Sequence, residues 1–496
     1  MRYSTNINTS ERYEIPSDLD DSVRIRDFLH KNRGKRVIVV QGLGFVGAVM
    51  ALVCANAFTE EYAVIGVDLA DEHSFWKIRS LNDGLFPLVA DDPNIPLFFE
   101  KSIEKGNFIA TYDTAAYKHA DIVIVDINLD VQKTSTQDGS LVDYDVDLGG
   151  FKKAIRTIGQ NCKDEVLILI ETTVPPGTTE FVARPILEEE LNLRELSIKR
   201  YKLGHSYERV MPGPDYISSI REFPRVYSGV NEGSADAVQE FLETIIDISQ
   251  CDLTRLEHTN ATEMCKVLEN SYRAMNISFA IEWSRFAEEA GVNLYAMVDA
   301  IRVRKTHANL MYPGIGVGGY CLTKDPLLAS WAMKAHFKSD SNLNMSVNSV
   351  SMNDQMPRFA FERLEESFGS TQGLSIALLG VSYRGNVGDT RFSPVETVAR
   401  LMQSKGAKLV FHDPYVRYWH EMDVHVEKDL DTVLNADIDI ILIATGHREY
   451  TQDDVVAKLF KLKPCIIYDT IGLLTDAQIS LLREKHEIGV LGRGDL

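Results

Sequence analysis

Residues 312–325 read YPGIGVGGYCLTKD, so four glycines, at 314, 316, 318 and 319, run directly into Cys321, Lys324 and Asp325. Such a loop lets backbone amides crowd a bound group and can hold a thiol where a substrate reaches it. The thiolate is the nucleophile, and a nearby cation such as Lys324 favours it below the usual thiol pKa of about 8.5. A buried structural thiol is the bland alternative, because free cysteine is among the most buried residue types. Farther up the chain Glu263, Lys266 and Asn270 stand at i, i+3 and i+7, on one helix face, with Met264, Val267, Leu268 and Met275 making an apolar side. A polar stripe of this kind is usually solvated surface. An ammonium and a carboxamide on adjacent turns can instead hold an oxyanion that develops during reaction. The run ETTVPPGTT at 171–179 follows an apolar strand. That places Thr173 at the carboxyl end of a sheet, where open α/β sheets bind ligands; a plain tight turn would look the same. Glu208, in HSYERVMPG at 205–213, is a further carboxylate near a turn.

A second chemistry is written near the amino end. Gly42, Gly44 and Gly47 match G-x-G-x-x-G between a β-branched run, RVIVVQ, and a helical pattern. The first glycine permits the tight turn, the second lets the backbone approach a pyrophosphate, and the third lets helix and strand pack closely. Phe45 and Val46 fill the two positions between and are read with the turn as cofactor-binding. Asp68 closes the next strand, AVIGVD; a carboxylate there accepts from a ribose 2′-hydroxyl and repels a 2′-phosphate, so NAD is expected rather than NADP. A glycine turn beside a solvated Asp is the competing reading.

The elements that must position these residues alternate in texture. Strands are predicted at 36–41, up to Asp68, at 121–127 and at 166–170, with helices between. This is the βαβ pattern of a parallel sheet. From Asn260, which with Glu263 resembles a capping box, helical periodicity runs to about 289, and helices are predicted at 326–337 and 345–368. Alternation returns at 374–380, 395–405, 408–413, 437–445 and 465–469. The predicted class is α/β: two Rossmann-like αβ domains with parallel sheets, at 35–254 and 369–496, joined by a central helical domain at 255–368. Residues 1–34 read as an extension with a short helix beginning near Ser17.

Composition bounds the partners. A formal net charge of -20 argues against broad nucleic-acid binding. No run of 18 apolar residues and no signal-peptide pattern is present, so no membrane is expected. The six cysteines, at 54, 162, 251, 265, 321 and 465, contain no C-x-x-C pair. Neither a disulfide framework nor a metal site is expected, and reduced thiols in the cytoplasm fit.

Together these pieces resemble the UDP-glucose/GDP-mannose dehydrogenase family from about residue 36 onward. The match rests on G-x-G-x-G-G-x-C-x-x-K-D at 314–325, E-x-x-K-x-x-x-N at Glu263, Lys266 and Asn270, V-P-P-G-T-T at 174–179, Y-E-R at 207–209 and D-T-R-x-S-P at 389–394. The resemblance implies a four-electron oxidation of a UDP-sugar C6 alcohol to the uronate with two NAD, in which Cys321 attacks the intermediate aldehyde. Glu208 would be the general base, Lys266 and Asn270 the oxyanion donors, and Asp325 and Thr173 would position water or substrate. Thr173 and Lys324 would also border the cofactor, while Gly316, Gly318 and Arg384 would contact the substrate. The carboxyl-terminal domain would hold the nucleotide diphosphate, and the central helices would form a homodimer core. Three places depart from the family pattern: Leu129-Asp130 replaces Thr-Pro, an Arg is missing near His307 (with Arg302, Arg304 and Lys305 close by), and another after the last strand, at Asp469-Thr470-Ile471-Gly472. The P-E-F-L variant of UDP-glucose enzymes is absent, and Glu208-Arg209 with Pro212-Gly213 looks closer to branches acting on UDP-N-acetylhexosamines. UDP-glucose 6-dehydrogenase, a β-hydroxyacid dehydrogenase and an inactive nucleotide-sugar binder are the alternatives.

Overall fold

Unbroken Val, Ile and Leu runs suit strands covered on both faces, and they supply the middle of both main sheets. The structure, a computed structural model, describes residues 2–7, 9–88, 92–210 and 213–496. The chain divides into two compact units. The first takes the chain as far as Val131, then Val146–Val267 and Trp331–Ser341.

The first unit opens with a hairpin of β1 (Tyr3–Thr5) and β2 (Arg12–Glu14), then a helix, Ser22–Lys31. This helix begins later than predicted, because the Asp20 carboxylate accepts the Ser22 amide and starts the turn there. Several of the described residues before β3 pack into the first unit. Ile15, Ile25 and Phe28 are buried, and Thr111 Oγ1 donates to Asp21 Oδ2 at 2.7 Å. The main sheet follows: β3 (Arg36–Gln41), β4 (Tyr62–Val67), β5 (Phe108–Thr111) and β6 (Ile122–Val125). The chain next makes a hairpin, β7 (Asp130–Ser135) and β8 (Leu141–Asp147), of which Gln132–Asp145 belongs to the second unit. The sheet is completed by β9 (Leu167–Ile170), β10 (Lys202–Tyr207), β11 (Arg225–Gly229) and β12 (Leu253–Arg255). Its eight strands run β12-β11-β10-β9-β6-β3-β4-β5. Val39 pairs Ile65 on one side and Val123 on the other, both in parallel register. One ladder departs from the all-parallel expectation: β11 returns antiparallel beside β10. The helix Phe45–Ala55 is apolar around most of its circumference and buried from Gly47 onward, as a helix pressed on a sheet and under other helices must be.

The second unit holds Gln132–Asp145, Leu268–Ser330 and Asn342–Leu496. Its sheet, β13 (Ser375–Leu379), β14 (Lys408–His412), β17 (Ile440–Ile443), β18 (Ile466–Asp469) and β19 (Glu487–Val490), runs in the order β14-β13-β17-β18-β19, all parallel. A small ribbon, β15 (Tyr418–Trp419) with β16 (Val424–His425), lies between β14 and β17 in the chain. Strand residues alternate between two cores. Ile376, Leu378, Ile440 and Leu442 join Met356, Ala360 and Leu364, whereas Ala377, Leu379, Ile441 and Ile443 join Val455, Leu459 and Ile479. Helices Leu294–Arg302 and Asn344–Phe368 complete this unit. Two helices continue from one unit into the other, Thr259–Glu289 after Val267 and Asp325–Ala335 after Ser330.

Candidate active site

The dinucleotide turn of the first unit has the geometry its glycines promise. Gly42 has φ +95°, and a Cβ there would lie 2.1 Å from the Asp126 carbonyl oxygen; one on Gly47 would lie 2.0 Å from the Gly42 oxygen. Gly44 faces open space. It caps the helix Phe45–Ala55 with no side-chain acceptor and no acidic residue in the first turn. The positive end of that helix favours an anion. Gly44, Phe45 and Val46 form the half-buried rim of the turn. Asp68 is buried at the end of β4, where its Oδ2 accepts from Leu43 N and from Lys77 Nζ, each at 3.0 Å. The cradle fits a dinucleotide, and the Asp68 carboxylate fits an unphosphorylated ribose. Lys77, on the helix Phe75–Asn82, was invisible in the sequence because its pairing with Asp68 is made by the fold.

Carboxylates and cations gather at the strand ends of the same unit. Glu208 directly follows β10, and Lys266 Nζ donates to its carbonyl oxygen at 2.8 Å and lies 3.7 Å from its Oε1. Both side chains are buried, and Val210 N donates to Glu208 Oε2. The Lys266 ammonium also stands 5.5 Å from the Tyr207 ring. Pro212 lies outside the described residues. Glu171 and Arg225 form a buried ion pair, 3.1 Å apart, that sequence reasoning missed. Burial pushes Glu171 up to about 7 although Arg225 opposes it. Burial, then Glu171 and Glu208, hold the Asp126 carboxyl well above the usual range, against Arg225 and Lys266. Thr173 is half-buried. Its neighbour Thr172 accepts from Ile127 N at 3.0 Å and donates to the Val125 carbonyl at 3.2 Å.

The capping box expected at Asn260 and Glu263 does not form. The helix Thr259–Glu289 begins before Asn260, and Glu263 reaches away from the helix end. Its carboxylate accepts from Gly177 N at 2.6 Å, Thr179 N at 2.7 Å and Thr179 Oγ1 at 2.6 Å, pinning the Pro-Pro-Gly-Thr-Thr turn. Burial raises this carboxyl to about 7 against those donors. The helix is inside out by surface standards: Lys266 is 7% exposed, whereas Met264 and Leu268, expected on a buried apolar side, are 50% and 65% exposed. Only Val267 of that expected side is deeply buried.

The glycine loop lies in the second unit. Cys321 is exposed, and its carbonyl accepts from Lys324 N at 3.2 Å and Asp325 N at 2.9 Å. The thiol is therefore carried on the turn that leads into the helix Asp325–Ala335, whose partial positive end favours an anion. Asp325 is fully buried; its Oδ1 accepts from Lys324 Nζ at 2.8 Å and its Oδ2 from Asn270 Nδ2 at 2.7 Å. Lys324, expected to lend its charge to the thiol, is engaged by Asp325 and by the Tyr320 ring at 4.6 Å. A Cβ on Gly318 would meet the Phe392 oxygen at 2.3 Å, and one on Gly316 would meet the Asn353 oxygen at 3.2 Å. These glycines shape the loop against protein. Asn353, unforeseen, takes the Val317 backbone in both directions, accepting from its N at 2.7 Å and donating to its O at 2.8 Å. Arg384 is exposed, and Arg391 binds Asp389 through Nε at 2.9 Å and Nη2 at 2.7 Å. Near His307, Arg302 donates to the Ala308 carbonyl at 3.0 Å. After β18, the amides of Ile471 and Leu474 donate to buried Asp469, which burial raises to about 6. Among the described residues no cluster of metal-ligating side chains occurs, and no helix is long and apolar enough to cross a membrane.

The dinucleotide cradle on the sheet of the first unit fits the NAD of an oxidoreductase. Known proteins agree. The UDP-glucose/GDP-mannose dehydrogenase family matches through its NAD-binding domain over residues 36–246, its central domain over 260–355 and its UDP-binding domain over 377–476. The chain belongs to this family, and NAD is its cofactor. It is 31% identical to a UDP-N-acetyl-D-mannosamine dehydrogenase of Pyrococcus horikoshii over 92% of this chain and 100% of that protein. A solved structure of a UDP-D-ManNAc dehydrogenase from that organism superposes with a TM-score of 0.75 at 28% identity, covering 93% of this chain and 100% of the other. A solved NDP-N-acetyl-D-galactosaminuronic acid dehydrogenase from Methanosarcina mazei gives 0.74 at 26% identity, covering 95% and 98%. The expected α/β class, with two Rossmann-like parts, is borne out by these superpositions.

Proposed function

We propose that the chain is a nucleotide-sugar 6-dehydrogenase that oxidises the C6 alcohol of a UDP-N-acetylhexosamine to the uronate through a covalent intermediate on Cys321. The observation that carries this reading is exposure: Cys54, Cys162, Cys251 and Cys465 are buried and Cys265 half-buried, while Cys321 alone is exposed. A structural thiol would have the opposite environment. When bound, NAD supplies the hydride acceptor for both oxidations.

Glu208 takes the proton of the C6 hydroxyl, acting as general base. Lys266 and Asn270 donate to the oxygen as its negative charge develops. The Cys321 sulfur bonds to the aldehyde carbon, and the resulting thiohemiacetal becomes a thioester, so the half-oxidised sugar is never released. Water, positioned by Asp325 and Thr173, adds to the thioester carbon; the C–S bond breaks and the carboxylate leaves with the thiol restored. Lys324 holds Asp325 in place, and Arg384, exposed on the loop after β13, meets the diphosphate. Gly316 and Gly318 shape the loop against which the sugar rests.

Similarity to dehydrogenases of UDP-N-acetyl-D-mannosamine and NDP-N-acetyl-D-galactosaminuronic acid supports an N-acetylated sugar over UDP-glucose. A β-hydroxyacid dehydrogenase would need no exposed thiol. A homodimer is supported by the helix Thr259–Glu289, which exposes Leu268, Tyr272, Phe279, Trp283 and Phe286 beside a groove of about 500 Å³ lined also by Met345 and Met352. Apolar patches of this kind mark association surfaces. The test is a panel of UDP- and GDP-sugars with NADH absorbance: two NADH per N-acetylhexosamine are expected. Cys321→Ser should form no acid while still binding NAD and UDP-sugar; full uronate production by that variant refutes the covalent route.

A further inference from the structure

We propose that the hairpin β7–β8 is a strap that positions the Cys321 loop, with Lys133 as its working residue. The proposal rests on the reading of Cys321 as the nucleophile. In the chain the hairpin interrupts the first unit, yet Gln132–Asp145 packs within the second. Its sequence, QKTSTQDGSLVDYD, has little apolar surface and its side chains are mostly exposed. A lone hairpin of this kind is marginal in water, so its position depends on what it grips.

What it grips is the helix Asn344–Phe368. Leu141 N donates to Ser351 Oγ at 3.0 Å, and Arg358 Nη2 donates to the Gln137 carbonyl at 2.8 Å. At the hairpin tip Gly139, with φ +88°, approaches so closely that a Cβ would lie 3.0 Å from the Asp354 carbonyl oxygen. Lys133 then bridges onward. Its Nζ is 2.5 Å from Asp354 Oδ2 and 3.4 Å from the carbonyl oxygen of Thr323, two residues beyond Cys321. The neighbouring Asn353 holds Val317 by two hydrogen bonds. One turn of helix therefore anchors the loop on both sides of the thiol, directly at Val317 and through the Lys133 ammonium at Thr323. Burial raises the Asp354 carboxyl, and Lys133 opposes that rise.

A solvent-exposed ion pair would explain the Asp354 contact but not the second one. Both side chains are about four-fifths covered, at 22% and 21% exposure, and the ammonium is shared with a loop carbonyl. A charge-assisted bond there restrains the carbonyl that leads into the helix Asp325–Ala335, and with it the direction of the thiol. Lys133 is thus a positioning residue, acting on the reaction through the loop.

The experiment uses the full chain with Lys133→Met, Lys133→Arg and Gly139→Val. Hydrogen exchange of residues 314–324 and the rate of Cys321 alkylation by iodoacetamide are measured across pH, beside thermal unfolding. In Lys133→Met the loop amides should exchange on the order of tenfold faster, as for loss of one charge-assisted bond. Cys321 alkylation should shift at least about threefold, and Lys133→Arg should restore both. Gly139→Val, which pushes the tip off Asp354 without touching Lys133, should reproduce the loop signature; it decides the matter if Lys133→Met does not fold. Unchanged exchange and alkylation in either variant, or no recovery with Arg, overturns the strap. Where a nucleotide sugar is turned over, kcat should fall with the KM for NAD unmoved. A changed loop signature in a protein that oxidises no nucleotide sugar sinks the functional reading and leaves the strap standing; intact oxidation with an unchanged signature does the reverse.

Discussion

Replacing Asp325 with Asn should separate the charge at the loop from its shape. The carboxylate is fully buried between Lys324 Nζ at 2.8 Å and Asn270 Nδ2 at 2.7 Å. An amide in its place has one acceptor for two donors and leaves the Lys324 ammonium, 8% exposed, without a counter-charge. Removing one partner of a buried pair costs about 3–5 kcal/mol. The Tyr320 ring at 4.6 Å and the small exposed fraction of Lys324 place this case at the lower end, about 3 kcal/mol. For a unit of this size each kcal/mol moves the midpoint by about 2–4 °C, so the affected transition should drop by roughly 6–12 °C in calorimetry. Asn270 also loses the partner that orients its amide. The kinetic loss should fall on kcat, on the order of a hundredfold, as for one oxyanion donor, with the KM for NAD unchanged. Adding Lys324→Met should recover most of the stability, because an uncharged pair no longer needs a buried counter-ion, but not kcat. A midpoint within about 2 °C of wild type together with kcat within about threefold would refute the reasoning.

Three further outcomes are expected. Glu263 is raised to about 7 in the folded chain, above its unfolded value of 4.5, so its contribution is complete below pH 4.5 and is lost as pH rises through 7; Glu263→Gln should flatten the fall in thermal midpoint over that window, and a midpoint difference between the two proteins that is constant from pH 4.5 to 8 contradicts it. Asp68→Ala should release Lys77, now 3.0 Å from that carboxylate, for a 2′-phosphate and raise the NADP:NAD ratio of kcat/KM at least about tenfold; an unchanged ratio shows that Asp68 does not set the preference. For the proposed homodimer, Trp283→Glu with Phe286→Lys, at side chains 42% and 60% exposed, should yield monomers in analytical ultracentrifugation, and a wild-type mass unchanged by the two substitutions contradicts association through this face.

The alternation of strands and helices was legible because a sheet covered on both faces demands unbroken apolar runs, and those runs mark β3, β6, β9, β13 and β17. The NAD turn was legible because only glycine fits at Gly42 and Gly47, where a Cβ would strike backbone. Hidden from sequence were the pairings between distant segments. Glu263 has the spacing of a capping box, yet it grips a turn 84 residues away. Residues 1–34 look like a polar extension, yet Ile25 and Phe28 are buried. Met264 and Leu268 look like core and are exposed, because the buried side of their helix is given to Lys266 and Glu263.

By itself the sequence determined what short-range chemistry can decide: which residues must be glycine and which runs form buried strands. The family and its cofactor follow from those local patterns. Tertiary structure alone decided the partners: Asp325 with Asn270 and Lys324, Lys77 with Asp68, Arg225 with Glu171, and the hairpin's Lys133 with Asp354. A charge's role is set by what stands within a few ångströms of it in a low-dielectric interior, and separation along the chain carries no record of that distance.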